Sequence, residues 1–82
     1  MLNRENTDIL KEFGKNLKHI RKQKALTQSQ IAYLIGIESS AVSRIERGEN
    51  ITLTRLISLA NALQIHPNKL FDFIQNINPT TN

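Results

Sequence analysis

Eighty-two residues suit one small domain, and 39% apolar residues with only 5% aromatics leave the packing of its core to aliphatic side chains. The absence of cysteine excludes a disulfide framework or a thiolate zinc site, and His19 and His66 form no short metal-binding tract. A net charge of +4 favours a polyanionic partner, though charge alone identifies none.

The opening residues Met1 to Thr7 contain no apolar run that could serve as a secretory signal. No apolar stretch approaches the roughly 20 residues needed to span a bilayer, so a reducing, cytoplasmic setting is expected. Residues 1–7 are expected to be an N-terminal arm, 8–74 the folded domain and 75–82 (QNINPTTN) a flexible polar tail. At this length no added ligand-binding or self-cleaving domain is expected.

The first helix is expected to start near Thr7-Asp8, with Thr7 as cap and Asp8 at the positive end, and to run to about Lys24. On a helical wheel Ile9, Leu10, Phe13, Leu17 and Ile20 share an arc of roughly 100°, the buried stripe of an amphipathic helix. Lys11, Lys15, Lys18 and Lys22 gather on the other side, as a solvated face or a phosphate-facing stripe. Arg21 falls at the border of the apolar arc, where a charge needs a partner.

Thr27-Gln28-Ser29-Gln30 fits the Ser/Thr-x-x-Glu/Gln capping box that opens a helix. In the segment behind it Ile31, Leu34 and Ile35 are expected to point inward, with Ala32 flanking them and Tyr33 outward. Gly36 is expected to end it in the left-handed conformation, and Ile37 to plug the turn into the core. A third helix starts at about Ser39 with Ala41, Val42 and Ile45 inward, and Ser40, Ser43, Arg44 and Arg47 on an exposed arc of roughly 100°. Glu46 sits beside the buried edge, and Gly48 stops the helix.

Thr52 is placed to cap a fourth helix from Leu53 to about Leu63. Its apolar residues Leu53, Leu56, Ile57, Leu59, Ala60 and Leu63 cover roughly 160°, wider than a surface helix normally buries. His66-Pro67 restarts the chain, with Pro67 suited to a first helical position, and a fifth helix is expected over Asn68 to about Ile74. No segment alternates like a strand. The expected fold class is all-α: a compact five-helix domain with a glycine-turned helix pair at its centre.

This arrangement resembles the lambda-repressor-like DNA-binding domain of the Cro-repressor or Xre type. The resemblance is carried by Phe13-Gly14, Leu17, Ile20-Arg21 and Lys24 in the first helix, and by Leu26-Thr27-Gln28-Ser29-Gln30-Ile31-Ala32 in the second. Gly36-Ile37 and Val42-Ser43-Arg44-Ile45-Glu46-Arg47-Gly48 fit the turn and third helix. Leu56, Leu59-Ala60, Ala62-Leu63, Ile65 and Leu70-Phe71 fit the remainder. In such domains the third helix enters the major groove of double-stranded DNA while the second crosses above it.

The resemblance implies base contacts from Ser39, Ser40, Ser43 and Arg44, with Arg44 the sharpest discriminator because a guanidinium can bond both acceptors of a guanine. It implies phosphate contacts from Gln28, at the second helix's start, with Arg47, Asn50 and Arg55 as further candidates. Related domains pair an arginine with a glutamate at the positions of Arg21 and Glu46, so a structural salt bridge is expected there. One helix spans few base pairs, so a homodimer on a palindromic operator is expected, with half-sites about 34 Å apart. The dimer surface is expected to use Leu53, Ile57, Phe71, Phe73, Ile74 and Ile77, whose apolar area exceeds what the small core needs.

Glu38 stands where relatives often carry a Ser, Thr or Asp cap. Arg44 and Arg47 against Glu38, Glu46 and Glu49 leave residues 38–50 one net negative charge. Phosphate affinity then has to come from amides, hydroxyls and lysines outside the third helix. The function expected is a DNA-binding transcriptional regulator, a repressor or autoregulator without cofactor, metal, membrane contact or small-molecule ligand. The competing expectation is a protein-interaction module or antitoxin of the same fold with weak or non-specific DNA binding. An enzyme is not expected, since neither histidine lies in an acid–base constellation.

Overall fold

The computed structural model of the protein describes residues 6–74. It is all-helical: α1 (Asn6–Gln23), α2 (Gln28–Ile35), α3 (Ser39–Glu46) and α4 (Leu53–Leu63), followed by a short 3-10 helix (Pro67–Phe71). Helix α1 already includes Asn6 and Thr7, so Thr7 is a first-turn residue and not the cap. Leu17, Ile31, Val42, Leu59, Leu63 and Leu70 are fully buried, one or more from every helix, and Phe13, Ile20, Ile45 and Leu56 surround them. This aliphatic core is what a chain with three phenylalanines and no tryptophan has available.

The starts of α2 and α4 follow from side-chain caps. The Thr27 hydroxyl accepts from the Gln30 amide at 3.0 Å while the Gln30 side chain accepts from the Thr27 amide at 2.8 Å, closing the capping box of α2. Thr52 caps α4 by accepting from the Arg55 amide. Glu38 stands at the N-cap of α3 but makes no side-chain cap bond, which leaves that helix start without its usual hydroxyl or short carboxylate.

All four α-helices end alike, with a 6→1 and a 5→2 backbone hydrogen bond around a left-handed residue. The pairs are Leu26 N–Arg21 O with Ala25 N–Lys22 O, and Ile37 N–Ala32 O with Gly36 N–Tyr33 O. They continue with Glu49 N–Arg44 O and Gly48 N–Ile45 O, then Ile65 N–Ala60 O and Gln64 N–Asn61 O. Glycine serves at Gly36 (φ 73°) and Gly48 (φ 110°), while Ala25 (φ 59°) and Gln64 (φ 58°) adopt the same conformation with a side chain.

Two further expectations about the helices need correction. Leu34 is 56% exposed, because the buried face of α2 centres on Ile31 and Ala32 with Ile35 half-buried, and Leu34 lies on the order of 100° from that centre. The fifth segment is a five-residue 3-10 helix and does not continue as a helix to Ile74; a start without a side-chain cap and so short a length do not sustain an α-helix. Asn16 of α1 holds it from outside, donating to the carbonyls of Lys69 and Leu70 at 3.1 and 3.0 Å.

Candidate nucleic-acid interface

Helix α3 is seated on α1 through a close backbone crossing. A Cβ on Gly14 would meet the carbonyl oxygens of Glu46 and Ile45, the latter at 2.6 Å, so only glycine lets the two helices approach this closely. Ala41, Val42, Ile45 and Glu46 form the buried face of α3. The opposite face therefore points outward with Ser39, Ser40, Arg44 and Arg47 exposed and Ser43 half-buried.

The seat is locked by charge. Arg21 Nε donates to Glu46 Oε2 at 2.6 Å and Nη2 to Oε1 at 3.1 Å, while Nη1 donates to the Leu26 carbonyl at 2.7 Å. Both side chains are over nine-tenths buried. A pair this enclosed costs desolvation, and the two-pronged geometry with every prong satisfied offsets that cost. Among the described residues no buried side-chain nitrogen or oxygen lacks a partner.

Gln28 joins the same group, with Nε2 donating to Glu46 Oε1 at 2.9 Å. The sequence places Gln28 at the start of α2 but carries no signal for this tie to Glu46. That bond uses one of the two hydrogens on the Gln28 side-chain amide. The capping box fixes Gln28 as the first residue of α2, and nothing local to that motif signals a partner on α3.

The outward face carries its own pairings. Arg44 Nε lies 3.2 Å from one Glu49 carboxylate oxygen and 3.4 Å from the other. Arg47 Nη1 donates to the Ser43 hydroxyl at 3.0 Å, and the Ser40 hydroxyl donates to Glu38 at 3.3 Å. Asn50 Oδ1 accepts from the Ile51 amide, and Arg55 is exposed on the first turn of α4. Of the lysine stripe, Lys11, Lys15, Lys18 and Lys22 are all exposed, and the Lys11 stem lies against Gly48 at the end of α3.

Away from this face, Leu53 is 73% exposed, Phe71 40% and Ile57 38%, although all are large apolar side chains. Phe73 and Ile74 are half-buried, and the Phe73 ring meets Phe13 edge-on at 6.4 Å between centroids. Ile77 and the expected tail over 75–82 lie outside the described residues. Among the described residues no helix is long and apolar enough to cross a membrane.

Two short helices joined by a glycine turn, the second buried on one side and polar on the other, define a helix-turn-helix protein. The helix-turn-helix family model (HTH_3) matches residues 17–70, and the chain belongs to this Xre-like family of DNA-binding transcription regulators, which is not an enzyme family. The restriction-modification controller protein C.AhdI from Aeromonas hydrophila is 41% identical with a TM-score of 0.74, over 76% of this chain and 96% of that one. An HTH_3 family transcriptional regulator from Vibrio cholerae is 26% identical with a TM-score of 0.77, over 84% of this chain and 39% of that one. Antitoxin PezA from Streptococcus pneumoniae serotype 4 is 41% identical over 46 residues, which is 56% of this chain but only 29% of that protein.

Proposed function

We propose that the protein is a sequence-specific transcriptional regulator of the cytoplasm that binds a palindromic operator as a homodimer, with α3 in the major groove. The observation that carries this reading is the two-sidedness of α3. Its inner face is fixed by Gly14 and the Arg21–Glu46 pair, and its outer face offers Ser39, Ser40, Ser43 and Arg44 with no apolar residue among them. A groove about 12 Å wide accepts one such helix, and a rigid seat is what base readout at hydrogen-bond distance requires.

Gln28, Arg47, Asn50 and Arg55 border that face and supply the phosphate contacts, assisted by backbone amides at the start of α2. The second copy docks on Leu53, Ile57, Phe71, Phe73 and Ile74, with Ile77, outside the described residues, as a further contact residue. The controller proteins of restriction-modification systems among the structural neighbours support a regulator of this size. The antitoxin match favours a second reading, in which the same fold serves as the antitoxin of a toxin pair.

Selection of bound sites from random double-stranded DNA tests the first reading. The wild type should enrich a two-fold symmetric site, Arg44→Ala should relax one base position in each half, and Gln28→Ala should weaken all sites alike. Enrichment of no sequence would remove it. Sedimentation should show a dimer that Leu53→Glu weakens; a monomer at high concentration would remove the dimer.

A further inference from the structure

The four helix ends differ in one respect that bears on base readout. In this closing motif the residue that donates the 6→1 bond is frequently apolar and packs against the last turn of its helix. Leu26, Ile37 and Ile65 fill that place on α1, α2 and α4, and all three pack against the hydrophobic core. On α3 the place belongs to Glu49. Its amide bonds the Arg44 carbonyl at 3.0 Å, and its carboxylate turns to Arg44 Nε at 3.2 and 3.4 Å. The left-handed Gly48 that curls the chain back thus delivers a carboxylate to the side of the arginine on the outer face.

We propose that Glu49 is a positioning residue for base readout, holding Arg44 by Nε so that the two terminal nitrogens of the guanidinium form the fork presented to a guanine. This rests on the proposed DNA-binding reading of α3. Among the described residues neither terminal nitrogen of Arg44 has a hydrogen-bond partner, so the edge that matches guanine O6 and N7 is open while the Nε edge is occupied. The two side chains are about half exposed, at 46% and 54%, so the pair adds little to folding. Its effect is to restrict the rotamers of a long side chain before DNA arrives, lowering the ordering cost of binding. A carboxylate beside a DNA-facing helix repels phosphate, and this positioning accounts for its presence on a surface that is otherwise short of positive charge.

The test is site selection from random double-stranded DNA, followed by competition binding at each half-site position, with wild type, Glu49→Ala, Glu49→Gln, Arg44→Ala and the Arg44→Ala/Glu49→Ala double variant. The expected result is a loss of about fivefold or more in guanine preference at a single position for Glu49→Ala, the position at which Arg44→Ala also acts. Glu49→Gln, which keeps an acceptor, should recover part of that preference. Adding Glu49→Ala to Arg44→Ala should change base preference no further, while affinity for unrelated DNA should hold or rise as the negative charge leaves. Melting curves should show all variants folded. An unchanged preference for guanine in Glu49→Ala, or affinity that rises equally at every sequence, would overturn the positioning role and leave the DNA-binding reading standing. Failure of the wild type to enrich any sequence would overturn both.

Discussion

Helix α3 contributes one residue to each of two arginine–glutamate pairs that differ in burial and in consequence. Inward, Arg21 and Glu46 meet at 2.6 Å with side chains 7% and 3% exposed. Outward, Arg44 and Glu49 meet at 3.2 Å with side chains about half exposed. The inward carboxylate receives two prongs of its arginine and the Gln28 amide, and its arginine also caps the Leu26 carbonyl. The outward arginine is held at Nε alone. The same two residue types therefore do different work: the enclosed pair fixes where α3 lies, and the open pair leaves a guanidinium edge for something else to bind.

The sharpest way to break this comparison is to remove Glu46. Glu46→Ala should destabilise the fold by about 3 kcal/mol or more in urea or thermal denaturation, because it leaves the Arg21 charge buried without its carboxylate. A neutral shift would mean that the inward pair does not anchor the helix. Gly14→Ala attacks the same seat through the backbone and should cost about 1–3 kcal/mol, since the new methyl must push α3 away from α1. Both variants should also lose DNA binding in proportion to the unfolded fraction.

The outward pair should behave the other way. Arg44→Ala should lose about 1–3 kcal/mol of discrimination at one base pair while its unfolding midpoint barely moves, as measured by competition binding and urea denaturation on the same samples. Glu49→Ala should shift stability by less than about 0.5 kcal/mol, the range of an exposed ion pair. A large loss of stability in either outward variant would erase the distinction between the two pairs.

Much of this was legible in the sequence because the signals were local. The capping box at Thr27–Gln30, the cap at Thr52 and the glycines at 36 and 48 each name their own geometry, and the wheel of α3 separates its two faces. The wheel also put Arg21 and Glu46 at the edges of buried faces, although their pairing entered through family resemblance. What escaped was non-local or independent of residue type. Nothing in an alanine or a glutamine announces the left-handed ends at Ala25 and Gln64, which the surrounding helices impose. Leu34 was placed inside because an eight-residue helix has too few residues to fix the centre of its stripe, and the neighbours chose Ile31 and Ala32 instead. The tie from Gln28 to Glu46 crosses 18 residues of chain, and Glu49 gains its meaning only once the end of α3 curls back.

Helix α3 is held from within, and its proposed role is to read bases from without. Competition binding between a selected operator and the same operator altered at the guanine assigned to Arg44, with wild type and Arg44→Ala compared at one salt concentration, tests it most directly. The wild type should show at least about fivefold preference for the intact operator and Arg44→Ala nearly none, with both proteins equally folded. Equal preference in the two proteins would contradict it.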